Sequence, residues 1–106
     1  MQILKANNFK SITISHLINN CPNSICIVYD DFYPPFSYND IYLSSEVYSL
    51  EDLKCCVLNE IVNAVYRMDY IIVHTNKTEK ELEEFISFIE KQSIYPFREI
   101  LIACKP

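Results

Sequence analysis

No glycine occurs anywhere in this chain of 106 residues, where average composition would supply about seven. That absence removes a set of functional devices at once. A Walker A loop, a G-x-G-x-x-G dinucleotide turn, an EF-hand and a G-x-S-x-G nucleophile elbow each depend on glycine backbone geometry. None of them can be built here. The rest of the composition still describes a folded protein. Half of the residues are apolar and 22% are charged, which is too apolar for a disordered chain. A chain of this length supports one hydrophobic core and leaves no room for a second domain.

Charge narrows the partners. The net charge is −5, which argues against general nucleic-acid affinity through phosphate contacts. Residues 1–29 carry Lys5 and Lys10 and no acid, whereas residues 30–60 carry seven acids against Lys54 alone. The first ten residues, MQILKANNFK, lack the apolar run of a signal peptide, and no stretch approaches the roughly 18 apolar residues of a membrane span. Five cysteines form no C-x-x-C pair. They read as free thiols of a reducing cytoplasm rather than as a disulfide framework. A composition rich in Ile, Asn, Lys and Tyr is compatible with a viral, mobile-element or low-GC origin and identifies none.

Two amphipathic helices stand out. Near 49–68, Ser49 caps with Asp52 three residues on, and Leu50, Leu53, Val57, Ile61, Ala64, Val65 and Met68 follow at helical spacing. Cys55, Leu58, Val62 and Tyr66 form a second apolar stripe beside the first. A helix apolar over more than half its circumference is covered on two sides. The second stripe is therefore expected to meet another helix or a second copy of the chain, as in a homodimer. Near 78–92, Thr78 and Glu81 make a capping box, and Leu82, Phe85, Ile86 and Ile89 line one face. A further helix is expected near 8–19.

Ser24–Asp30, Tyr70–Thr75 and Glu99–Cys104 are nearly continuous apolar runs with β-branched bias. Strands buried on both faces of a parallel sheet read this way. Gln2–Lys5 is a candidate short first strand. The order of elements predicts an α/β fold for residues 1–106, with a mostly parallel sheet of three to four strands. Residues 31–48 are expected to form a loop or a small hairpin. Six of these eighteen residues are aromatic and none is lysine or arginine, and so long a connection favours a binding loop.

The chemistry concentrates at the ends of two strands. Ile27-Val28-Tyr29-Asp30-Asp31 resembles the Walker B strand of P-loop ATPases, where such a carboxylate holds Mg²⁺. His74-Thr75-Asn76 resembles the polar-tipped sensor strand of the same enzymes. The resemblance implies Asp30 and Asp31 as Mg²⁺ ligands, with His74 and Thr75 beside them. It covers about fifty residues. Without a phosphate loop, the chain is at most a degenerate or partial relative of that family. Asp30, Asp31, Thr75 and Lys105-Pro106 also echo the receiver domains of two-component signalling. Tyr70–Asn76 ends without the phosphoacceptor acid, so a working receiver is rejected. The plainer reading has two aspartates opening a solvated loop, and both histidines, His16 and His74, serving structure.

Cysteine metal binding is poorly supported. His16, Cys21 and Cys26 are spaced too widely for a zinc pair and need a fourth ligand. Cys55 and Cys56 lie about 100° apart on a helix.

Two functions follow from these readings. The leading one is a non-catalytic inhibitor, regulatory or accessory subunit without a cofactor. It would hold a protein partner of basic surface through Phe32, Tyr33, Phe36, Tyr38 and Asp40 in the segment 30–48. The alternative is a small Mg²⁺- or phosphate-dependent enzyme centred on Asp30 and Asp31.

Overall fold

In a computed structural model, residues 1–5, 20–31 and 40–106 are described. The helix expected near 8–19, His16 within it, the rings of Phe32, Tyr33, Phe36 and Tyr38, and the side chain of Asp40 lie outside them. Five strands make one sheet: β1 (Gln2–Lys5), β2 (Ile25–Asp30), β3 (Asp40–Ser44), β4 (Met68–Thr78) and β5 (Phe97–Lys105). Two helices accompany them, α1 (Leu50–Asn63) and α2 (Glu83–Glu90). The strand order is β1-β5-β4-β2-β3 and every pairing is parallel. The three apolar runs are the three central strands, as their two-sided apolarity requires.

The parallel arrangement suits a chain without glycine. Tight two-residue hairpins need positive φ at their centre, and no described residue has it. Parallel strands avoid such turns because a longer crossover joins them. The connections β3–α1–β4 and β4–α2–β5 both step across the sheet in the same direction. Crossovers of one hand that step in one direction leave their helices on one face. Leu53, Val57 and Ile61 of α1 and Phe85, Ile86 and Ile89 of α2 accordingly share one core with Ile27, Ile71, Val73, Ile100 and Ile102. The opposite face buries Cys26, Val28, Ile72, Leu101 and Ala103.

The strands β4 and β5 extend past the runs Tyr70–Thr75 and Glu99–Cys104 at both ends, the helix expected to 92 ends at Glu90, and three further differences change the architecture. Residues 40–44, expected within the loop, form β3, the fifth strand, which pairs with β2 from Cys26↔Asp40 to Asp30↔Ser44. The helix expected over 49–68 ends at Asn63, with Ala64 already extended. Met68 instead opens β4, where its N–H donates to the Pro96 carbonyl at 3.1 Å. Tyr66 is thus off the helix, and Val65, assigned to the inner stripe, is exposed. The capping box at Thr78 forms, with the Glu81 N–H donating to Thr78 Oγ1 at 3.2 Å. Turn geometry follows it, and the regular helix begins only at Glu83.

Candidate functional site

The chain leaves the middle of the sheet in opposite directions. From β2 it steps outward to β3, and from β4 it steps the other way to β5. The carboxyl ends of β2 and β4 therefore flank a topological switch point, where open parallel sheets form their ligand crevice. Tyr29 is paired with Thr75 and Val28 with His74, so Asp30, Asp31, His74, Thr75 and Asn76 do come together. Ser44 and Ser45, at the end of β3, adjoin them. Sequence reasoning had not included the two serines. Their signal was hidden because β3 read as loop.

The aspartates and Thr75 at this edge are engaged, whereas the buried Asn76 Oδ1 has no hydrogen-bond partner among the described residues. Asp30 is only 5% exposed. Its Oδ1 accepts the Asp31 N–H at 2.7 Å, and its carbonyl accepts the Ser45 N–H at 2.9 Å and the Tyr42 hydroxyl at 3.3 Å. Asp31 is exposed and accepts the Ser45 hydroxyl on Oδ1. That hydrogen bond, with help from Asn76 and the Lys77 ammonium, holds its carboxyl below the usual range. Thr75 is fully buried, and its Oγ1 accepts the Lys77 N–H at 3.1 Å. His74 is 1% exposed, and burial pushes its pKa down to about 4. It is a neutral ring at pH 7, closed off from solvent.

The arrangement makes a structured anionic rim. A general base works best with a pKa near the operating pH and with access to substrate. Asp31 lies on the wrong side of that range and His74 lacks the access. Asp30 and Asp31 are the only carboxylates that sequence reading offered for Mg²⁺ at this edge. Each already has a donor from the protein. Among the described residues, no group of three or more His, Cys, Asp or Glu side chains gathers to hold a metal.

A second surface lies at the opposite, amino edge of the sheet, where the chain enters β4 and β5. Val62, Val65, Tyr66 and Tyr95 are 79%, 87%, 60% and 82% exposed. Together with Arg67 and Pro96 they line an open groove of about 410 Å³. Two of the four residues expected in the second helical stripe, Val62 and Tyr66, reach this groove. The other two continue it along α1, with Cys55 exposed and Leu58 half-buried. Among the described residues, Cys55, Val62 and Tyr66 of the stripe are exposed and Leu58 is half-buried. Val65 and Tyr95 were missed as surface residues: helical spacing assigned Val65 to the core, and Tyr95 sits in a connection without periodicity.

All five cysteines are free thiols, and burial raises the Cys56 and Cys104 pKa values, which keeps them protonated. Among the described residues, no helix is long and apolar enough to cross a membrane. The chain matches no protein-family model, no curated protein and no solved structure.

Proposed function

We propose that this chain is a non-catalytic interaction protein, acting as an inhibitor, regulatory or accessory subunit. The observation that carries the reading is the cluster of four large, exposed apolar side chains around one groove. Soluble surfaces scatter such residues singly, and contiguous patches mark contact sites. The segment 30–48 is a second proposed contact surface, on its sequence. Its rings Phe32, Tyr33, Phe36 and Tyr38 lie between Asp30, Asp31 and Asp40 with no cation among them. A protein partner of basic surface fits that chemistry better than a nucleic acid does. Free thiols support work in a reducing compartment such as the cytoplasm.

The competing reading is a Mg²⁺- or phosphate-dependent site at Asp30 and Asp31, favoured by their place at the switch point. One comparison separates the two. Mg²⁺ is titrated against thermal melting of the wild type and of Asp30→Asn, and partner capture is compared for the wild type and Phe32→Ala, Tyr33→Ala and Phe36→Ala. The interaction reading expects an unchanged melting temperature with Mg²⁺. It also expects capture that each ring substitution weakens, by 2 kcal/mol or about thirtyfold at an anchoring position. A Mg²⁺-dependent rise in melting temperature that Asp30→Asn abolishes overturns it in favour of the enzyme.

A further inference from the structure

We draw no further inference here: the strongest candidate, the exposed apolar groove of Val62, Val65, Tyr66 and Tyr95 at the amino edge of the sheet, carries nothing beyond the contact face already proposed, because nothing in the structure shows what covers it.

Discussion

Burial holds the His74 imidazole neutral down to about pH 4, whereas the same ring in an unfolded chain protonates near 6.5. Above pH 6.5 both states are neutral and the ring makes no difference. As the pH falls, the unfolded chain takes up a proton that the folded chain refuses. Stability therefore declines between about pH 6.5 and about pH 4, by about 3 kcal/mol at the lower end, and this contribution then levels off. The sheet face of this ring also carries Asp30, two residues beyond Val28, the residue paired with His74, and Glu99, which is paired with Tyr70. His74→Leu is expected to flatten the decline, read as melting temperature against pH. A variant with the wild-type slope would assign the decline to carboxylates. At this scale the sequence showed which residues meet at the β2 and β4 ends, because each terminates an apolar run. It could not show that Asp30 and His74 are buried and Asp31 exposed. Ser45, which donates to the Asp30 carbonyl and to the Asp31 side chain, lies just past a strand that read as loop.

Helix α1 is held by three side chains and a cap. Leu53, Val57 and Ile61 point inward at successive turns. Ser49 Oγ accepts the Asp52 N–H at 3.4 Å while Asp52 Oδ2 accepts the Ser49 N–H at 2.8 Å. Ser49→Ala should cost about 1 kcal/mol, and Leu53→Ala, at a fully buried position, about 2–5 kcal/mol. Denaturant unfolding of the two variants would check the ranking, and a larger loss from the cap would contradict it. The elements readable in the sequence were those with one strong signal. Two-sided burial marked β2, β4 and β5, and capping boxes marked where each helix approach begins. Asp40–Ser44 gave no such signal, because it is a five-residue edge strand whose side chains at 41–44 are half-buried. The end of α1 was unreadable for another reason. Val65 and Met68 continue a helical period, and only the pairing of Met68 with Phe97 takes the chain out of it.

The sheet as a whole depends on β5, which lies between β1 and β4. Removing residues 97–106 would strip the partner from both strands and bare one side of β4, an eleven-residue strand. Such a chain is expected to lose cooperative melting and to aggregate, since a long apolar edge recruits other strands. Ile102→Val, a change of one methyl group at a fully buried site in β5, should keep cooperativity and cost about 1 kcal/mol. Circular dichroism melts with light scattering would separate the two outcomes, and a cooperative melt from the shortened chain would refute the dependence. The same pairing carries a consequence for synthesis. Leu4, in β1, waits for Ala103, its partner in β5. At ordinary translation rates about 5–20 s separate them. Late in that interval, between the completion of β4 and the arrival of β5, β4 has β2 on one side and nothing on the other, so chaperone occupancy should peak after β4 leaves the ribosome and end when β5 does.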